Sequence, residues 1–191
     1  MTRALRFALT LLFSVACSSG LPQPLAADFI GHGAPVRDLA ISSDGRRALT
    51  AGFDDQAILW DVESKELRLR LLGHAAAVNA VAFVPPDDNR AVTTSDDGSL
   101  RLWDLAQGQE LAVWRGHKLK VVSVALSPDG RFAASASWDR TVRLWDVARG
   151  QEIARYEGHE GSVNAVAFLP DRQGIVSAGY DGALWRWPLP G

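Results

Sequence analysis

The sequence predicts an all-β fold made of four copies of one structural unit. The dipeptide Gly-His recurs at intervals of 42, 43 and 42 residues, and its four copies contain every histidine of the chain: His32, His74, His117 and His159. Four tryptophans follow the same period, at Trp60, Trp103, Trp145 and Trp187. A fixed period of about 20–50 residues indicates one supersecondary unit that stacks on its neighbours.

Short strands separated by tight turns are predicted within each copy. In the third copy, Val121–Leu126 precedes a Ser-Pro-Asp-Gly turn, and Phe132–Ser137 and Thr141–Asp146 lie on either side of a second turn at 138–140. A fourth run at 152–156 leads into the next Gly-His. β-Branched and aromatic runs between Pro, Asp and Gly turns are typical of an antiparallel meander. No segment after residue 27 shows a sustained helical period.

The first strand of each copy has an irregular apolar spacing. Val78, Val81 and Phe83 lie three and then two residues apart. Because strict alternation is broken, the spacing predicts a β-bulge in this strand. An alanine occupies the next column in every copy, where a small side chain leaves room for a neighbouring sheet: Ala40, Ala82, Ala125 and Ala167.

Polar residues also repeat in register with the tryptophans. A hydroxyl side chain stands ten residues before each of them: Thr50, Thr93, Ser135 and Ser177. A carboxylate stands six residues before each of them: Asp54, Asp97, Asp139 and Asp181. An indole N–H only donates, a hydroxyl donates and accepts, neutral imidazole does each once, and a carboxylate only accepts. The pattern therefore predicts a hydrogen-bond chain from Trp145 through Ser135 and His117 to Asp139, and its equivalent in every copy.

The Gly-His…Trp-Asp pattern of residues 31–188 resembles the WD-repeat family of β-propellers, in which four-stranded blades surround a central channel. The resemblance implies four repeats at about 31–72, 73–115, 116–157 and 158–188. It also implies that the Trp, Ser or Thr, His and Asp of each copy form a structural tetrad within one blade. Two departures from the family are Pro188 in place of Asp after Trp187, and four repeats where seven or eight are usual.

Closure of the four blades is the open question of the predicted architecture. Phe29-Ile30 matches the end of an outer strand, since Leu71, Trp114 and Tyr156 hold the Phe29 position in the other copies. We predict that this N-terminal strand completes the last blade of a four-bladed ring, like a velcro strap. The alternative is an open arc, whose exposed ends would pair with a second chain and complete an eight-bladed ring.

Residues 1–27 have the composition of a secretory signal peptide, which leaves 28–191 as the repeat domain. A basic start containing Arg3 and Arg6 precedes the apolar segment 7–16, which is shorter than the roughly 20 residues that span a bilayer. Cleavage is expected after Ala27. The alternative is cleavage after Ala16 and lipidation of Cys17, as in a bacterial lipoprotein box, from which Ser14 departs. The expected location is the periplasm or cell envelope, or the membrane through the lipid anchor.

The composition of the chain argues against catalysis, metal binding and nucleic-acid binding. Cys17 is the only cysteine, and all four histidines are assigned to the tetrads. The formal charge of −2 becomes −4 when Arg3 and Arg6 leave with the signal, and no basic cluster favours nucleic acid. Phosphate-binding glycine loops and nucleophile motifs are not found. We therefore expect no enzyme, no metal, no cofactor and no nucleic acid.

Surface recognition of a protein or peptide is the function that remains. The residue before each tetrad aspartate lies on a tight turn, and in the resembled family this position commonly contacts partners: Phe53, Asp96, Trp138 and Tyr180. Residues five after Gly-His are predicted to line the same mouth: Arg37, Asn79 and Asn164. The alternative is that the rings pack over their own turns. The sequence favours an exported scaffold; the alternatives are an envelope redox assembly with a c-type cytochrome, or a shortened remnant of a longer propeller.

Overall fold

Antiparallel β-sheets make up the regular structure of the chain, as the sequence predicts. The computed structural model describes residues 29–170 and 174–190. Each repeat forms one sheet, called a blade here, with its strands in chain order. None of the secondary structure in the described ranges is a helix long and apolar enough to span a bilayer.

The first three blades have four strands each, and the fourth has three in the described residues. Blade 1 contains β1 (Val36–Ile41), β2 (Arg47–Gly52), β3 (Gln56–Asp61) and β4 (Leu67–Leu72). Blade 2 contains β5 (Val78–Val84), β6 (Arg90–Ser95), β7 (Ser99–Asp104) and β8 (Gln109–Arg115). Blade 3 contains β9 (Val121–Leu126), β10 (Phe132–Ser137), β11 (Thr141–Asp146) and β12 (Gln151–Glu157). Blade 4 contains β13 (Val163–Phe168), β14 (Ile175–Gly179) and β15 (Leu184–Trp187).

The predicted bulge in the first strand is confirmed. In β5 the pairing register with β6 shifts between Val78 and Ala80, and β1 and β13 shift at the equivalent place. The extra residue explains the apolar spacing of three, because it returns the next side chain to the same face.

A glycine ends the turn between the first two strands of blade 3. Gly130 has φ +68°, a conformation that L side chains rarely adopt, and its amide donates to the Ser127 carbonyl at 2.8 Å. A Cβ at this position would clash with the Pro85 carbonyl oxygen of blade 2. The turn thus uses glycine both for its backbone conformation and for its close approach to the neighbouring blade.

The hydrophobic core lies between the blades. Each blade has a leading face, which carries the tetrad tryptophan, and a trailing face, which carries the alternate residues of its third strand. The trailing Leu59 of blade 1 packs in one cluster with Val81, Phe83 and Trp103 on the leading face of blade 2. Equivalent clusters join blades 2 and 3 and blades 3 and 4. Full burial of such a side chain stabilises the fold by about 1.5–3 kcal/mol.

The two end faces of this row of blades are uncovered in the described structure. On the leading face of blade 1, Val36, Leu39 and Ile41 are 53%, 57% and 53% exposed, whereas their counterparts in blade 2 are 0%, 4% and 7% exposed. On the trailing face of blade 4, Leu184 is 74% exposed, whereas Leu100 in blade 2 is 0% exposed. Among the residues that the structure describes, nothing covers either end of the row of blades.

Closure of blade 4 by Phe29-Ile30 stays a prediction: in the described residues blade 4 has three strands, and Phe29 and Ile30 belong to no strand. The Phe29 ring contacts Trp60 of blade 1, with ring centres 5.6 Å apart and planes at 89°. Two residues later, Gly31 lies so close to the Trp60 ring that a Cβ there would clash. This short link holds Phe29 against blade 1, on the side that faces away from blades 2 to 4.

Candidate functional site

Each predicted tetrad is a continuous chain of hydrogen bonds within one blade. In blade 3, Trp145 Nε1 donates to Ser135 Oγ at 2.9 Å, and Ser135 Oγ lies 2.7 Å from His117 Nε2. His117 Nδ1 lies 2.9 Å from Asp139 Oδ2. The same three contacts recur at 2.7–2.9 Å in the other blades, through Trp60–Thr50–His32–Asp54, Trp103–Thr93–His74–Asp97 and Trp187–Ser177–His159–Asp181.

The geometry fixes where the protons lie. The Asp139 carboxylate only accepts, so His117 Nδ1 carries the proton and Nε2 accepts from the Ser135 hydroxyl. Burial lowers the pKa of His117 below its ordinary value of 6.5, and the opposing effect of the Asp139 hydrogen bond does not compensate. The imidazole is therefore neutral near pH 7, with both nitrogens engaged inside the blade.

The aspartate end of the tetrad also binds the backbone. Asp139 accepts from the Lys118 amide at 2.9 Å and the Thr141 amide at 3.0 Å, which sequence reasoning did not foresee. Burial by itself raises the pKa of Asp139, but the hydrogen bonds from His117, Thr141 and the Lys118 amide outweigh it and hold this pKa well below 3.8. The tetrad thus joins the loop that enters the blade to the turn between its second and third strands.

The aromatic rim, defined as Phe53, Trp138 and Tyr180 with Asp96 at the equivalent place, lies at one end of the blades. Each residue follows the second strand of its blade, and its amide donates to a carbonyl just before the first strand, at 2.8–3.0 Å. Phe53, Trp138 and Tyr180 are 48%, 38% and 73% exposed. Because the same backbone contact holds every copy, the three rings project at equivalent positions of blades 1, 3 and 4.

Two cations lie on rings of the aromatic rim. The Arg37 guanidinium is 4.8 Å from the centre of the Phe53 ring, as expected for a residue predicted to line the same mouth. Lys120 Nζ is 4.9 Å from the centre of the Trp138 ring and 2.8 Å from Asp96 Oδ2 in blade 2. Sequence reasoning missed Lys120, because no other copy carries a cation at its position.

Asn79 does not belong to the exposed mouth, which corrects the prediction. Its side chain is buried, and its amide group donates to Asp96 Oδ1 at 2.8 Å and to the Val121 carbonyl at 2.9 Å. The start of β9 covers it, so Asn79 links blades 2 and 3. The equivalent Asn164 is exposed because no blade follows blade 4 in the described residues.

Groups that could hold a metal ion were sought among the side chains of 29–170 and 174–190. These ranges contain no cluster of three or more His, Cys, Asp or Glu residues with suitable geometry. Cys17 and both predicted cleavage sites lie outside the described residues.

These repeats, tetrads and blades define a β-propeller type of repeat protein. The chain belongs to the WD domain, G-beta repeat family, whose sequence model matches residues 23–61, 65–104, 108–146 and 150–187.

Three curated proteins illustrate what this chain is similar to. It is 40% identical over 108 residues to a guanine nucleotide-binding protein subunit beta of Solanum tuberosum, which covers 53% of this chain and 28% of that protein. It is 32% identical over 93 residues to the B-type cell cycle switch protein ccs52B of Medicago truncatula, 48% of this chain and 19% of that protein. Protein tipD of Dictyostelium discoideum is 33% identical over 101 residues, 53% of this chain and 16% of that protein. The matches thus span less than a third of the length of these relatives.

Proposed function

We propose that the chain is a scaffold that binds a protein or an extended peptide across the aromatic rim and performs no chemistry of its own. The observation that carries this proposal is the exposure of Phe53, Trp138 and Tyr180 at equivalent positions of three blades. WD repeats imply a protein-interaction scaffold, and similarity to guanine nucleotide-binding protein subunits beta fits that reading.

The chemistry of the rim suits an elongated partner. Aromatic anchors dominate binding energy at protein interfaces, and here they form a spaced row and not a single pocket. Arg37 and Lys120 add positive charge beside two of the rings. A partner segment with apolar side chains for the rings and a carboxylate near Arg37 would match this surface.

A scaffold role also fits the state of the histidines. Each imidazole contacts a carboxylate through Nδ1 and a hydroxyl through Nε2, so neither nitrogen is available to a substrate. This arrangement supports a structural role for the tetrads.

Peptide display on the purified repeat domain, followed by calorimetric titration of a selected peptide, tests the proposed binding surface. We expect the Trp138→Ala, Tyr180→Ala double variant to bind at least about 30-fold more weakly, since an anchor of this kind typically contributes 2 kcal/mol or more. Leu111→Ala is the matched control, because Leu111 is 48% exposed on the outer strand β8. Selected peptides that bind the double variant as well as the unmodified domain would exclude the aromatic rim.

We further propose that the chain is an exported, bacterial-type member of its family. The support is the basic start and apolar segment 7–16 of the sequence. Intact mass of the protein purified from its native cells is expected to show an N-terminus at Asp28. A diacylated N-terminus at Cys17, lost in a Cys17→Ser variant, would instead establish the lipid-anchored form, and a chain that retains residues 1–27 would contradict export by a cleaved signal.

A further inference from the structure

Two apolar faces of the chain lack a partner in the described residues. The leading face of blade 1 forms a groove of about 520 Å³ lined by Phe29, Val36, Leu39, Ile41 and Trp60. At the other end of the row, the trailing face of blade 4 presents Leu184, flanked by Ala165, Ala167 and Ala178. Exposed apolar area of this kind marks an interaction surface.

These two faces correspond to the two sides of the interface between neighbouring blades, which occurs three times within the chain. Inside the chain, a trailing face packs on the next leading face, as Leu59 packs with Val81 and Phe83, or Leu144 with Val163 and Val166. Leu39 of blade 1 stands in the column of Val81 and Val166, and Ile41 stands in the column of Phe83. A surface that accepts the trailing face of blades 1 to 3 is therefore repeated, uncovered, at blade 1.

Phe29 shows what is missing beside blade 1. Across the joint between blades 2 and 3, Trp114 from the outer strand β8 stacks on Trp145, with ring centres 5.9 Å apart. Tyr156 from β12 stacks likewise on Trp187 at 5.3 Å. Phe29 contacts Trp60 at a similar distance of 5.6 Å, although edge-to-face and not stacked, so it takes the place of a ring at the end of an outer strand. The described residues contain no blade next to this ring whose first three strands it would follow.

Blade 4 shows the complementary deficit. Its sheet ends at β15, whose edge is unpaired in the described residues, whereas the third strand of every other blade pairs with an outer strand. Within the described residues, blade 4 has three strands without an outer strand, and Phe29 holds an outer-strand position without a blade.

We propose that a second copy of this chain supplies both missing parts, by head-to-tail packing of the trailing face of blade 4 on the leading face of blade 1. The Phe29-Ile30 segment of each copy then lies at the β15 edge of the other. A contact between two different faces either closes into a ring or grows without limit. Two copies with four blades each close it as an eight-bladed ring.

Arg186 makes this joint weaker than the joints inside the chain. It stands where blades 1, 2 and 3 have Leu59, Leu102 and Leu144. The aliphatic stem of arginine can cover apolar surface, but its guanidinium must remain solvated or paired. Arg186→Leu restores the repeat pattern, and it is expected to strengthen the association of two copies at least about tenfold.

Sedimentation velocity over a range of concentrations tests the proposal on the purified chain. The expected species has twice the mass of the chain and does not grow further as concentration rises. Leu39→Asp and Leu184→Asp, both at exposed positions, should each weaken the dimer at least about tenfold while circular dichroism stays unchanged. Leu111→Asp on β8 is the control, and it should leave the dimer intact.

Mixing the two variants separates a head-to-tail joint from other contacts. Leu39→Asp damages only the leading face, and Leu184→Asp damages only the trailing face. Each variant alone has a damaged face in both joints, whereas a mixed dimer has one undamaged joint, so the mixture should associate more strongly than either variant. A monomeric unmodified chain, open-ended growth, or a dimer insensitive to both variants would each overturn the proposal. So would a full chain that dimerises only after residues 1–27 are removed, because its own leader would then cover the leading face.

Discussion

Lys120 and Trp138 form a cation–π pair at the aromatic rim, with Nζ 4.9 Å from the ring centre. The same ammonium lies 2.8 Å from Asp96 Oδ2 of the neighbouring blade. Burial raises the pKa of Asp96, but the hydrogen bonds from Lys120 and Asn79 outweigh it and lower this pKa below 3.8. One side chain therefore connects two blades and holds the Trp138 ring in place, with 38% of the residue still exposed.

The rim residues should affect binding more than stability. Tyr180→Ala is expected to change the free energy of unfolding by less than about 0.5 kcal/mol, because the residue is 73% exposed. Urea denaturation measures this change. A loss of several kcal/mol would show that the ring packs over its turn, which is the alternative that the sequence leaves open.

The tetrads should stabilise the fold unequally. Asp139→Ala leaves the His117 donor unsatisfied, at a cost on the order of 1–3 kcal/mol. Asp181→Ala should cost less, because Thr141 donates a side-chain hydroxyl to Asp139 at 2.7 Å and the equivalent Ala183 has none. Urea denaturation of both variants, with the exposed Glu63→Ala as control, measures the difference. Equal losses in both blades would mean that the hydroxyl contributes nothing.

Acid should destabilise the protein in two ranges of pH. His117 has a folded pKa below 6.5, so the unfolded chain binds its proton more readily and stability falls as pH decreases through about 6.5. Asp97 and Asp139 have folded pKa values below 3.8, so a further loss follows as pH decreases through about 4. Urea midpoints from pH 7 to pH 3 test both parts. His117→Gln should flatten the first range and leave the second, and an unchanged slope near pH 6 would contradict the assignment.

Alanine variants of two glycines in equivalent turns distinguish the effect of backbone strain from that of steric crowding. Gly45 and Gly130 have φ +71° and +68°, so alanine at either position is strained by about 1–2 kcal/mol. Nothing lies within 4 Å of a Cβ at Gly45, whereas a Cβ at Gly130 would collide with the Pro85 carbonyl oxygen. Gly130→Ala should therefore lower the melting temperature more than Gly45→Ala. Equal losses of melting temperature would show that the Pro85 carbonyl of blade 2 moves away from a Cβ at position 130 without a measurable loss of stability.

The sequence by itself determined the main features within one repeat. The 42- or 43-residue period gave the number of blades, and the donor and acceptor inventory gave the order of the tetrad from Trp145 to Asp139. These features are predictable because each depends on alternation along a strand or on groups inside one blade. The same repetition made the bulge near Val78 visible.

Only the tertiary structure decided what happens between repeats. The start of β9 buries Asn79, Lys120 reaches Asp96 across a blade boundary, and Phe29 packs edge-to-face on Trp60. These contacts depend on how neighbouring blades pack on one another, which the periodic pattern within one repeat does not encode. For the same physical reason, the exposure of Leu39 and Leu184 at the two ends was visible only once the blades were stacked.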